Sequence, residues 1–182
     1  MRKITFLLSF LFYASICSAQ VGKVFPDMTI TGMDGKTAKL PGSAKGKYTV
    51  IAMAASIDSQ RSLERWMFPL YTTFVAPPKA NYIPDDNYDV HLYFVTLLQP
   101  TGMGIEKAKE MYFNKMEKEY KSYVFLYEDK AKPVMDFLVI KNAKDPYFFV
   151  LDTAGKIVNM QSGTYTDAKL EAIRDVLDAA EE

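Results

Sequence analysis

Two strongly apolar runs, Tyr48–Ala54 and residues 90–98, carry β-branched and aromatic side chains without the polar alternation of a half-wet strand. Such runs must be covered on both faces, so they predict central strands of a sheet with helices on either side. Everything else in the chain has to be fitted around that sheet. Residues 28–31 and Thr37–Leu40 predict two short strands joined through Met33-Asp34-Gly35, whose Asp-Gly pair marks an opening β-hairpin. Between the central runs, Leu63, Trp66, Met67, Leu70 and Phe74 recur at helical spacing. Ser56, Asp58 and Ser59 are the candidate caps of that helix, Asp58 being the simplest N-cap, and Pro69 predicts a kink.

Residues 75–89 are rich in Pro, Asn and Asp and predict a long loop, whose Tyr82, Ile83 and Tyr88 would suit protein recognition. Residues 105–120 predict an amphipathic helix with Ile105, Ala108, Tyr112 and Met116 on one side. Residues 123–127 read as a short edge strand, and Pro133 as the first residue of a short helix running to Leu138. Tyr147–Leu151, a turn at 152–155 and residues 156–161 predict a second hairpin. A final helix starts at Asp167, with Leu170, Ile173, Leu177 and Ala180 facing inward. The expectation is an α/β fold: one central mixed β-sheet flanked by helices, with an N-terminal β-hairpin.

The N-terminus has the three-part layout of a secretory signal. Met1-Arg2-Lys3 is basic, residues 4–16 are apolar, and Ser18 and Ala19 are small enough for cleavage after Ala19. The apolar run falls short of the roughly 20 residues a membrane-spanning helix needs. The expected organisation is therefore a signal peptide at 1–19 and a single domain at 20–182, with 75–89 as a Pro-rich insertion. Cys17, the one cysteine, lies inside the signal; bulky Ile16 before it argues against a lipoprotein, so plain export is predicted. The processed chain would hold no cysteine, no disulfide and no thiol chemistry. Its charge is nearly balanced, 22 basic residues against 22 acidic ones in the full sequence, with no basic stripe to suit nucleic acid or a membrane surface.

Three local patterns point to a family. They are Phe25-Pro26-Asp27-Met28-Thr29-Ile30 with Asp34-Gly35-Lys36; Gly46-Lys47-Tyr48-Thr49-Val50-Ile51; and Asp145-Pro146-Tyr147-Phe148-Phe149-Val150-Leu151-Asp152 with Gly155-Lys156-Ile157. In that order they resemble the opening hairpin, first core strand and cis-proline strand of the thioredoxin-like superfamily, as in periplasmic thiol-disulfide oxidoreductases and alkyl hydroperoxide reductase-like peroxiredoxins. The resemblance implies a Cys-x-x-Cys at the start of the first long helix. Asp58, Ser59, Gln60 and Arg61 occupy those positions here. A peroxidatic cysteine in the first turn is missing as well. The chemistry needs a thiolate whose pKa is lowered by the helix N-terminus, and an acid there cannot replace it.

The surface expected to act is the rim beyond the carboxyl ends of the strands. Ser56, Asp58, Arg61, Trp66, Asp145 and Pro146 are its candidate binding residues, with no catalytic residue, metal or cofactor assigned. Placed as in the family, Asp145 would sit beside Asp58. Ser56 and Ser59 lack a base, because His91, the one histidine, falls at the opposite end of its strand. Scattered methionines read as packing rather than copper ligands. The predicted role is a redox-inactive binding or assembly module for an extended protein segment, with a protein or peptide partner in the cell envelope. A fainter similarity of residues 56–69, with Trp66 and Pro69, to cysteine-poor mitochondrial ATP synthase assembly factors points the same way. Two alternatives are an enzyme using Asp58, Arg61 and Asp145 for acid-base or metal-assisted chemistry, and a non-catalytic partner of an envelope thiol-disulfide or peroxide-detoxifying system.

Overall fold

A computed structural model describes residues 20–77, 88–113 and 116–181. The expected export signal and most of the Pro-rich segment, with Tyr82 and Ile83, lie outside the described residues. The strands are β1 (Met28–Gly32), β2 (Thr37–Leu40), β3 (Tyr48–Ala54), β4 (Val90–Leu97), β5 (Val124–Tyr127), β6 (Tyr147–Leu151) and β7 (Ile157–Ser162). They form one sheet in the order β2-β1-β5-β4-β3-β6-β7. The two apolar runs pair in parallel at its centre, Thr49 opposite His91 and Ala54 opposite Thr96. β4 and β5 are also parallel, whereas β1 with β5, β3 with β6 and β6 with β7 are antiparallel.

Both faces of β3 are buried, which is why its sequence does not alternate. Val50, Ala52 and Ala54 point to one side, where α1 (Ile57–Phe74) and α5 (Asp167–Glu181) lie. Ile51 and Met53 point to the other, onto Phe25, Leu40, Val134 and Leu138. α1 meets the sheet through Leu63, Trp66, Met67, Leu70 and Phe74, the i, i+3, i+4 stripe read from the sequence. Pro69 lies inside this continuous helix, where Thr72 Oγ donates to Phe68 O at 2.8 Å. α5 buries Ile173 and Leu177, but Ala180 is exposed rather than inward because the stripe has run past the sheet.

Gly155 shows how tightly the second hairpin is set against the first. Its φ is +82°, and a Cβ there would stand 2.8 Å from Pro41 Cβ, so a side chain is excluded on both counts. Phe25 N donates to Gly155 O at 2.9 Å, tying the N-terminal segment to the same turn.

Several elements differ from expectation. β5 is an inner strand, because the opening hairpin folds over and pairs β1 to it. The strand predicted over 90–98 ends at Leu97, and Leu98 begins a short helix, α2 (Leu98–Thr101), closed by Gly102 at φ 67°. The single helix expected over 105–120 is instead α3 (Ile105–Ala108), a π-helical turn at Lys109–Phe113 and a 3-10 segment at Lys118–Tyr123. The last is accompanied by Tyr120 and Tyr123, which both pack edge-on against Tyr71, at 5.1 and 5.7 Å between centroids. Side chains three apart eclipse in a 3-10 helix, which sets the two rings one above the other against their common partner. α4 (Ala131–Phe137) opens two residues before Pro133. No helix among the described residues is long and apolar enough to cross a membrane.

Candidate functional site

The carboxyl end of β3 delivers the chain into α1, and Ser56, not Asp58, is the N-cap. Ser56 has extended φ and ψ of −160° and 171°, and its Oγ accepts from Ser59 N at 3.1 Å. Ser59 Oγ accepts in return from Ser56 N at 2.8 Å, completing a reciprocal capping box. It also accepts from Ala55 N at 2.9 Å, and so closes the strand-to-helix turn. Asp58 sits within the first turn, where an anion suits the helix dipole without serving as cap.

The two hydroxyls stand 3.1 Å apart across the strand-to-helix turn, one residue on either side of Asp58 and its neighbour Ile57. Neither hydroxyl is free to react: Ser56 Oγ donates to Ala143 O at 2.7 Å, and Ser59 Oγ reaches Ser56 O at 3.0 Å. No base is in reach either. His91 pairs with Thr49, at the opposite end of β3 from Ser56, and burial together with Lys47 holds its imidazole below its ordinary pKa.

Gln60 is buried, and its Oε1 accepts from Thr96 Oγ1 at 2.8 Å, pinning the first turn of α1 to the end of β4. Just beyond, Gln99 Oε1 accepts from Ala131 N at 2.9 Å, which joins α2 to the start of α4. Asp58 and Arg61 face solvent with Oδ1 and Nη1 3.8 Å apart, their side chains 59% and 74% exposed. Such a pair is screened by water and contributes little to stability.

The other candidates disperse. Trp66 is fully buried, stacked at 4.2 Å on Phe148 and at 5.1 Å edge-on to Tyr165, with Nε1 donating to Gly163 O at 3.1 Å. It belongs to the core and offers no surface to a ligand. Asp145 is held by its own loop: Oδ2 accepts from Asn142 Nδ2 at 2.7 Å, and no hydrogen bond or ion pair joins it to Asp58. Pro146 is buried and its carbonyl accepts from Gly163 N at 2.9 Å. The Asp145–Pro146 bond is trans; the only cis peptide among the described residues is Leu40–Pro41. The Asn142 turn, with Lys144 N donating to Asn142 Oδ1 at 3.1 Å, has already reversed the chain before Pro146 is reached. A trans bond then leads directly into β6.

What remains at the surface is a rim made of Ile57, Asp58 and Arg61 on α1 and of residues 142–145, of which Asn142 and Lys144 are exposed, bridged by the Ser56–Ala143 bond. Among the described residues no group of three His, Cys, Asp or Glu side chains converges as a metal site would require. A cleft of about 420 Å³ lies at the other end of β4, beside Tyr88, His91 and Tyr93. Tyr88 there is pushed up to about 12 by burial and by donating to Asp178 at 2.5 Å.

No protein-family model matches the sequence, and no curated protein matches it. Solved structures do. The thioredoxin domain of a thiol-disulfide oxidoreductase from Bacteroides vulgatus is similar at a TM-score of 0.58 and 20% identity, over 86% of this chain and 97% of that one. The exposed lipoprotein thioredoxin of Streptococcus pneumoniae gives 0.52 and 18%, over 85% and 99%. Copper-bound yeast Sco1 gives 0.54 and 13%, over 85% and 92%. The fold is thioredoxin-like. At these identities the likeness extends to the fold, and what this chain does has to be argued from its own residues.

Proposed function

We propose that the chain is an exported thioredoxin-like domain without redox activity, which holds an extended segment of a partner protein against the rim beside the start of α1. The first turn of α1 carries this reading. Where redox-active relatives need a thiolate, it presents two hydroxyls with their hydrogens committed, next to an acid and a guanidinium. The only cysteine, Cys17, falls within the proposed signal at 1–19, so the single domain from Gln20 onward carries no thiol. Lipidation at Cys17 is disfavoured by Ile16, and the partner is placed in the cell envelope.

The rim suits holding. Its exposed groups are mixed, an apolar Ile57 beside opposite charges, and an extended chain can add main-chain bonds at a loop such as 142–145. Copper, named for the yeast Sco1 structure, is not carried over: from Gln20 on there is no cysteine, and the single histidine lies at the wrong end of the sheet. The acid-base reading gains no support, since Asp145 is turned toward Asn142.

The test has two arms. A photo-crosslinking amino acid at Asp58 or Arg61 of the exported protein should capture a discrete envelope partner, and the same group at Lys132 on α4 should not. Purified processed protein should show no disulfide reductase or peroxidase turnover. Turnover in either assay, or adducts indifferent to position, would end the proposal.

A further inference from the structure

The segment at Gln20 is fixed in an unusual way. Gly22 N donates to Ile157 O at 2.7 Å, Ile157 N donates to Lys23 O at 2.8 Å, and Val24 bridges Lys156. The segment thus adds itself to the start of β7. Val21 and Val24 remain about half exposed, at 47% and 50%, while the polar Gln20 is only 2% exposed. Its carbonyl accepts from Lys23 N at 3.1 Å, and its side-chain Oε1 is buried with no hydrogen-bond partner. This reverses the usual order of burial, in which an amide stays wet unless its polar atoms are satisfied.

Cleavage after Ala19 would make Gln20 the first residue and give it an α-amine of its own, beside a side-chain amide whose Oε1 is buried and lacks a partner. We propose that Gln20 is a modification site, carried in the processed protein as pyroglutamate. This rests on the export reading above, with its boundary at Ala19–Gln20. The α-amine nitrogen attacks the side-chain Cδ, a C–N bond closes a five-membered lactam, the Cδ–Nε2 bond breaks, and the amide nitrogen leaves as ammonia. No oxidant or cofactor is needed, and amine and amide are held within one residue, which favours closure over any bimolecular route. The product is neutral, and the former Oε1 becomes the lactam oxygen. A chain blocked in this way gives aminopeptidases no free amine to begin from.

The test is the intact mass and N-terminal sequence of protein expressed from Met1 in a host that processes exported proteins, read directly after isolation. The expected mass is that of the chain beginning at Gln20 less one ammonia. Stepwise N-terminal degradation should be refused, and pyroglutamyl peptidase acting on the unfolded chain should restore a sequence starting at Val21. Gln20→Ala should retain a readable amine and lose no ammonia. A linear Gln20 terminus, ammonia lost only during storage, or ammonia lost equally from Gln20→Ala would each overturn the proposal. A terminus at any other residue, Met1 included, would overturn it together with the export boundary, and the mass itself tells these failures apart.

Discussion

Replacing Ser59 by Ala tests whether the start of α1 is held as described. Ser59 is fully buried, and its Oγ accepts from Ala55 N at 2.9 Å and from Ser56 N at 2.8 Å. Alanine fits the space but strands both donors. Ala55 is 2% exposed, so its N–H has no water to turn to, and an unsatisfied buried donor costs about 1–3 kcal/mol. The half-buried Ser56 N–H loses an ordinary hydrogen bond, which adds about 0.5–1.5 kcal/mol, while the N-cap bond from Ser59 N to Ser56 Oγ survives. The expected loss is about 2–4 kcal/mol. With an m-value of about 2 kcal/mol per molar urea, the midpoint of the urea transition should fall by about 1–2 M at unchanged m. Asp58→Ala is the matched control: its carboxylate is exposed and 3.8 Å from Arg61, so its loss should stay within about 0.5 kcal/mol. If the two variants unfold at the same urea concentration, Ser59 does not brace the turn and the capping argument fails.

Trp66→Ala should lose about 3–5 kcal/mol in the same assay, because the indole is completely buried between Phe148 and Tyr165; a loss under about 1 kcal/mol would return it to the surface. Ser56→Cys with Ser59→Cys should close to a disulfide under mild oxidant more readily than Asp58→Cys with Arg61→Cys, since the first pair starts with its hydroxyls 3.1 Å apart; the reverse order would show that the backbone around Asp58 and Arg61 is better placed for a bridge. His91 has its pKa depressed from 6.5 in the folded state, chiefly by burial, so the unfolded chain binds the proton more readily. Its contribution to stability is therefore present above pH 6.5 and is lost as the pH falls through the lower folded value, and His91→Gln should flatten that slope in thermal unfolding profiles. Val139, a β-branched residue at φ 55°, should gain about 1 kcal/mol on substitution by Gly; a lower melting temperature would show that its side-chain contacts outweigh the backbone strain.

The centre of the fold was legible because burial on both faces writes itself into the residues: β3 and β4 lack alternation, and the stripes of α1 and α5 have clean helical spacing. Both hairpins were legible from local turn chemistry, Asp34-Gly35 and residues 152–155. Where a distant segment decides the outcome, local reading failed. Nothing within residues 123–127 says that the opening hairpin will cover their outer edge. Nothing in the spacing of Tyr120 and Tyr123 names Tyr71 as their common partner. The cap was misplaced for a similar reason: Ser56, Asp58 and Ser59 are all good caps, and only Ser56 also meets the carbonyl of Ala143, 87 residues away. Trp66 was expected at the binding rim through the faint similarity of residues 56–69, whereas its position on the apolar stripe of α1 decides its burial.

The bonds from Ser56 to Ala143, Gln60 to Thr96 and Gln99 to Ala131 lash four separate stretches of chain into one plate at the end of the sheet. A visitor to that plate would find it already assembled and would have little ordering entropy to overcome. Selectivity there would fall to the shape and charge of the guest, because three bonds already fix the host.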